Sequence, residues 1–297
     1  MFGKLLKYEW RANSKLFGLL SLIALGLGLV GGVVIRGMFL VGENVQDDLT
    51  LAMSMMGLFG MVMICMVLIG VYMTAVNYIN YFRFYKHKFT DEGYLTFTLP
   101  VTAEQLFWSS FVNIMLWMLI ATVVAAISAA VMLTIGVGPA VVDAIREIVQ
   151  MYGWPEVTLE AWRELFDILW QSVQIILEEG LALRGAPLYY GMSASQVIVA
   201  PVYNTILTMA CITVGSVLVK RMKLLLSVGI YAGFTSVVAL LTQISVYVPT
   251  FAAMYDYEHY FYWMSIPMAL QLALQLTVIV GGYFLIIHLM KKKLNLP

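Results

Sequence analysis

Charge is scarce in this chain and confined to short stretches: 17 Lys and Arg and 17 Asp and Glu among 297 residues, 11% in all. Soluble domains carry roughly 25%. Cysteine is nearly missing too. Cys65 and Cys211 both fall within apolar runs, so they offer neither a disulfide framework nor metal-ligand spacing, and they read as small buried residues. Three histidines and the absence of paired acids within the apolar runs exclude most intramembrane hydrolytic chemistry, and His288 lies close to Lys291 at the end of its run. Ion-coupled transport needs a group to titrate or coordinate at membrane depth, and none is present. A phosphate-wrapping Gly-x-x-x-x-Gly-Lys loop followed by Ser or Thr is also lacking, so the chain is not expected to be an enzyme or to hydrolyse ATP itself. Gly26-Leu27-Gly28-Leu29-Val30-Gly31 satisfies a dinucleotide-binding pattern, but it sits inside an apolar run with no strand before it.

What the chain has instead is apolar length. Hydrophobic residues make up 62% of it. Six runs, at 16–35, 51–82, 106–135, 197–219, 224–247 and 265–290, can each cross a hydrocarbon core about 30 Å thick. With the N-terminus placed inside, the inner segments hold Lys4, Lys7, Arg11, Lys15, Arg83, Lys86, Lys88, Lys220, Arg221, Lys223 and Lys291 to Lys293. Only Arg36, Arg146, Arg163 and Arg184 lie outside. Thirteen of the seventeen acids lie on that outer side, so a net charge of zero conceals two oppositely charged faces. This positive-inside bias predicts a multi-pass membrane protein with both ends cytoplasmic. The first run follows a basic segment and lacks a small-residue cleavage site, so no removed signal peptide is expected.

Residues 2–15 read as a helix lying in the membrane surface. Lys4, Lys7, Arg11 and Lys15 share one face, while Phe2, Leu5, Leu6 and Trp10 fall mainly on the other. A basic leader that merely orients the first span is the alternative. In the cytoplasmic segment 83–105, Thr90 or Asp91 can cap a short helix and Pro100 stops it. Thr102 with Gln105 forms a capping box, with Val101 and Leu106 as its staple, opening the third span. Phe89, Tyr94, Leu95 and Phe97 are then expected to be exposed, either as a docking surface or tucked into the bilayer interface.

The run Phe89-Thr90-Asp91-Glu92-Gly93-Tyr94-Leu95-Thr96-Phe97-Thr98-Leu99-Pro100, between the second and third spans, resembles the intracellular loop of ABC-2-type transporter permeases of Gram-positive bacteria. Phe2-Gly3-Lys4-Leu5-Leu6-Lys7-Tyr8-Glu9 before an apolar span looks like the elbow helix of that family. The match covers about the first 135 residues; beyond them only span number and orientation agree. The resemblance implies an all-α polytopic fold of the ABC-2, type V exporter-like architecture, with an interfacial elbow at 1–15 and spans one to three over 16–136. Spans four to six would occupy 196–297, whereas the segment 137–195, read from its own spacing as a small extracellular helical cap, departs from the simplest pattern of that family. It implies that Phe89, Thr90, Asp91, Glu92, Gly93, Tyr94, Leu95 and Phe97 form a coupling helix seated on a separate ATP-binding subunit. ATP and Mg would belong to that subunit, with no cofactor or metal in this chain. A second permease subunit, identical or related, would complete a dimer in the lipid membrane, and no nucleic acid is expected. The membrane-interface anchors would be Phe2, Lys4, Lys7, Trp10 and Arg11.

Within 137–195, Val141, Ile145, Ile148 and Tyr152 recur at helical spacing. Leu159, Trp162, Phe166, Leu169, Val173 and Ile176 do so again, opposite an acidic face, with Gly180 as a stop. Two helices capping the outer mouth, or lying on the outer leaflet, fit this pattern. Its acidity either draws cationic peptides or simply complements the positive inner face. The aromatic segment from Val248 to Trp263 suits a water–lipid interface, and the resemblance suggests a partly re-entrant element there. Asp256, Glu258 and His259 are too consecutive for a metal site. Of the neutral polar residues inside spans, Asn77, Asn204, Thr205, Gln271 and Gln275 could line a pathway or bond between helices. Gly28 and Gly32 provide a Gly-x-x-x-Gly packing surface. Two functions therefore stand: the permease subunit of an ATP-driven exporter of a hydrophobic or amphipathic substrate (antimicrobial peptide, drug or lipid), or a non-transporting sensor or assembly protein binding a ligand at its outer cap.

Overall fold

A computed structural model describes residues 2–45, 47–90, 102–151, 180–219 and 221–293, with 163, 167, 170–172, 174, 175 and 178. Seven long helices stand out: α1 Phe2–Asn44, α2 Asp48–Phe89, α3 Ala103–Gly136, α4 Gly138–Met151, α5 Ala186–Leu218, α6 Lys223–Tyr255 and α7 Tyr260–Lys293. A 3₁₀ turn, Tyr257–His259, joins α6 to α7. All but α4 are long and apolar enough to cross a membrane, six candidate spans in all. Each begins before its predicted run, and all but α5 also end beyond it.

The predicted elbow is not a separate element. α1 is one helix of 43 residues, roughly 65 Å long at 1.5 Å per residue. No proline interrupts it near Lys15, and an inward stripe crosses that point at three- and four-residue steps: Trp10, Asn13, Phe17, Leu20, Ala24, Gly28 and Gly32. Once Trp10 and Asn13 are buried on the same face as Phe17, bending the helix into the membrane plane would break both contacts.

The chain divides into two compact units. One comprises Lys7–Asn80 and Leu116–Asp167. Here α1 and α2 run antiparallel, with Asn13 against Asn80 and Ser21 against Tyr72. α1 and α3 run parallel, Phe17 meeting Trp117 and Gly28 meeting Ser128. Those directions suit a chain crossing three times in alternation. A Cβ on Gly28 would lie 2.6 Å from the Ser128 carbonyl oxygen, and one on Gly136 would lie 2.5 Å from Cβ of Ile35. On Gly32 it would come 2.8 Å from Ile135 Cβ. The Gly-x-x-x-Gly surface is thus used within the chain, letting α1 and α3 approach almost backbone to backbone.

The other unit holds Met1–Leu6, Tyr81–Met115 and Ile168–Pro297. α5 packs on both α6 and α7, around Tyr203, Leu207 and Cys211 with Ile230, Tyr231, Leu274 and Val278. Cys65 and Cys211 are buried free thiols, as expected. α5 and α6 form a tight hairpin because Gly215 admits Ser227, whose backbone nitrogen would lie 2.8 Å from an added Cβ. Met222 takes the left-handed conformation at φ 58° to turn the chain.

Two boundaries differ from expectation. Gly180 is helical rather than a stop, and the break falls at Gly185, whose φ of 82° only glycine adopts freely. Tyr262 backbone nitrogen would sit 2.8 Å from a Cβ there, so no side chain fits. α5 therefore begins at Ala186, inside the segment assigned to the cap. The described residues of the last turn pass from helix through a 3₁₀ turn to helix, with no separate re-entrant element; Pro249 lies within α6. α4 matches the first predicted cap helix, and the described residues between 163 and 182 are helical.

Gly28→Ala should destabilise by about 1–3 kcal/mol, because the group it meets is backbone and cannot repack. Gly26→Ala, two positions away with nothing within 4 Å, should change little. Thermal unfolding of the two variants in one detergent compares them directly.

Candidate functional site

The segment between α2 and α3 is where the sequence concentrates its functional signal. Asp91, Glu92, Gly93, Tyr94, Leu95 and Phe97 lie outside the described residues, but both stems are described. α2 continues to Phe89, so residues 83–89 are helix rather than loop. Phe89 corrects the expectation of exposure: it is buried at 6% and packs edge-on against Phe84, ring centroids 5.7 Å apart. Burial of an aromatic ring and of the stem of Lys88 ends α2 inside the unit, and both residues turn inward for that reason. Thr90 also departs from its predicted role. Its hydroxyl donates to the Lys86 carbonyl oxygen, closing the end of α2 rather than opening the next helix.

Lys223, the first residue of α6, donates from Nζ to the Phe89 carbonyl oxygen at 3.1 Å. A cation on a helix C-terminus meets unpaired carbonyls and the negative end of the helix dipole. On the other stem, Thr102 caps α3 as predicted, its Oγ1 accepting from the Gln105 backbone N–H at 3.3 Å. Glu104 binds Lys291 at 2.8 Å. Both side chains are about half exposed, so the pair contributes at most about 1 kcal/mol, yet it joins the start of α3 to the end of α7. Phe107 meets Tyr283 of α7 edge-on at 5.3 Å, and Trp108 meets it at a tilt at 6.0 Å. Both stems of the turn are thereby held within a single compact unit.

The predicted polar residues divide. Thr205 is fully buried and accepts from the Tyr81 hydroxyl at 3.5 Å, with Met115 Sδ 3.6 Å from its own hydroxyl. Gln275 is buried, and its Oε1 accepts no hydrogen bond among the described residues. Gln271 is half-buried and Asn204 exposed. Asn204 cannot share Thr205's face, since neighbours on a helix project about 100° apart. Asn77 is half-buried with its Oδ1 unpartnered. The structure thus brings Thr205 to Tyr81 rather than to the other four predicted pathway residues.

Of the predicted anchors, Lys4, Lys7 and Arg11 are exposed; the Phe2 side chain is outside what is described. Trp10 is a correction. It stacks on Trp117 of α3 at 4.5 Å and 21°, so its ring faces the bundle and not the lipid interface. Tyr81, Lys223, Asn13 and Trp117 were not legible as partners, because each contact joins residues far apart in sequence. Lys223 alone had a signal, as the last cation of the Lys220-Arg221-Met222-Lys223 cluster before an apolar run.

At the far end of the second unit, Asp256 organises the turn between α6 and α7. It accepts from His259 at 3.0 Å and from Trp263 Nε1 at 3.4 Å, while Arg184 reaches Glu258 at 3.4 Å. This is a turn-closing network rather than a ligand set, and among the described residues no metal-ligating group gathers. The hydrogen bond from His259, reinforced by that from Trp263, holds the Asp256 carboxyl below its ordinary value of 3.8.

Comparisons with protein-family models, with curated proteins and with solved structures find no match.

A carboxyl with a depressed folded value adds stability above its unfolded value and loses it as pH falls through the folded one. Thermal stability should therefore fall on acidification below 3.8, and Asp256→Asn should lower the neutral plateau and so flatten that acid limb. Parallel melts of the wild type and variant across that range measure it.

Proposed function

We propose that this protein is the membrane-spanning permease subunit of an ATP-driven transporter, an exporter of a hydrophobic or amphipathic substrate powered by a separate ATP-binding subunit. The observation that carries the reading is the run Phe89 to Pro100, set between the second and third of six candidate spans. Its stems support it. A segment that receives force from an ATPase must pass it to the spans rather than absorb it. Here the end of α2 is held by Lys223 of α6, and the start of α3 by Lys291 and Tyr283 of α7. Displacing the turn would therefore load four helices at once.

The chain has no phosphate-wrapping loop and no buried charge suited to ion coupling, so energy would have to come from a partner. In this reading the basic segments face the cytoplasm, and Asp91, Glu92, Gly93, Tyr94, Leu95 and Phe97 contact the ATP-binding subunit. Thr205 and Gln275, both turned inward from helices α5 and α7, are the polar groups best placed beside a route through the membrane. A second permease subunit completes the complex.

The test is purification of the chain from its native membrane with its partners, comparing wild type with Glu92→Lys/Tyr94→Ala. An ATP-hydrolysing protein should accompany the wild type and be released by the double change, with ATPase activity in the preparation lost in parallel. A folded wild-type preparation free of any ATPase would refute the reading and favour the sensor or assembly alternative.

A further inference from the structure

Four polar atoms within the α1–α2–α3 unit point to a ligand that the functional reading does not require. Asn13 donates from Nδ2 to Asn80 Oδ1 at 3.2 Å, which leaves Asn13 Oδ1 and Asn80 Nδ2 buried and unpartnered among the described residues. Asn77 Oδ1 and Trp117 Nε1 are buried and unpartnered as well. Asn13, Asn80 and Trp117 are exposed by only 3%, 2% and 6%.

These groups converge. The pairs Asn13–Asn80 and Ser21–Tyr72 fix an antiparallel register that sets Phe17 opposite Val76 and Asn77. Trp117 stacks on Trp10 and meets Phe17 edge-on at 4.8 Å, so its indole lies beside the same two turns of α1 that carry Asn13. The two asparagine oxygens are acceptors, and the Asn80 amide and Trp117 indole are donors. Two donors and two acceptors complement a water molecule, which offers two of each. A metal ion would be repelled by the donors and an anion by the acceptors, and Phe17, Tyr72, Val76 and Trp10 belong to the apolar cluster around them. Buried waters characteristically bridge such otherwise unsatisfied groups.

We propose that the α1–α2–α3 unit holds internal water bound by Asn13, Asn77, Asn80 and Trp117. The site joins all three helices through a solvent molecule, beside the direct contacts of Asn13 with Asn80 and of Trp117 with Trp10 and Phe17. It stands independently of the transport reading.

Radiolytic hydroxyl labelling of the full chain in nanodiscs tests it, since radicals form from water at the labelled site. Corrected for intrinsic reactivity, Trp117 should label several-fold more than Phe107, which is fully buried but has no such polar cluster. Brief mixing with heavy-oxygen water before the pulse should leave ordinary oxygen on Trp117 while exposed Tyr8 takes up the heavy isotope, because a bound water exchanges slowly. Asn13→Leu/Asn80→Leu should bring Trp117 down to the level of Phe107; should that variant not fold, the wild-type comparison and the isotope reading decide alone. Labelling of Trp117 no greater than that of Phe107 in the wild type would overturn the proposal, as would immediate uptake of the heavy isotope, which would mean open access rather than a bound molecule.

Discussion

Close approach of α1 to α3 is the contact on which the first unit depends. In lipid, apolar side chains gain nothing by leaving the solvent for each other, so helices associate through dense packing and hydrogen bonds. Gly28, Gly32 and Gly136 supply that density by removing side chains where Ser128, Ile135 and Ile35 come nearest. Once those turns are seated, the parallel register carries Phe17 and Trp10 onto Trp117. α2 then lies antiparallel against the same stripe of α1, bonded through Asn80 and Tyr72.

The second unit is built on a different plan. Its helices close through a hairpin at Gly215 and Ser227 and through the Asp256 turn, and α5, α6 and α7 all pack on one another. The ends of α2 and α3 nearest the Phe89–Pro100 run belong to this unit, whereas their remaining lengths belong to the other. On the proposed transport reading, a displacement of that segment would be felt first by α6 and α7, through Lys223 and Lys291. This is the mechanical sense of the transport reading.

Much of the fold was legible because lipid imposes a simple rule: a spanning segment must satisfy its backbone internally, so long apolar runs are helices. Thr102 and Gln105 were readable for a local reason, the cap lying within one turn of its partner. The elbow was misread because amphipathic spacing over residues 2–15 is compatible with a lipid surface and equally with a bundle; only Trp117, a hundred residues on, decides for Trp10. Gly180 read as the stop because it follows the periodic run, but the left-handed backbone and the close approach of Tyr262 put the break at Gly185. Phe89 looked exposed because its carbonyl partner, Lys223, is remote in the chain. Of the candidate site, the motif was visible and its supports were not.

The account stands on the chain alternating across the membrane with its basic ends on the cytoplasmic side. The most direct test places single cysteines at Lys7, Arg221, Asp47 and Tyr255, in a background lacking Cys65 and Cys211, and applies a membrane-impermeant thiol reagent to intact cells and to inverted vesicles. All four positions are exposed or lie in short connections. Labelling of Asp47 and Tyr255 only from outside, and of Lys7 and Arg221 only from the cytoplasmic face, is the predicted result. Labelling of Lys7 or Arg221 from outside would contradict it, and would put the Phe89–Pro100 segment out of reach of any cytoplasmic ATPase.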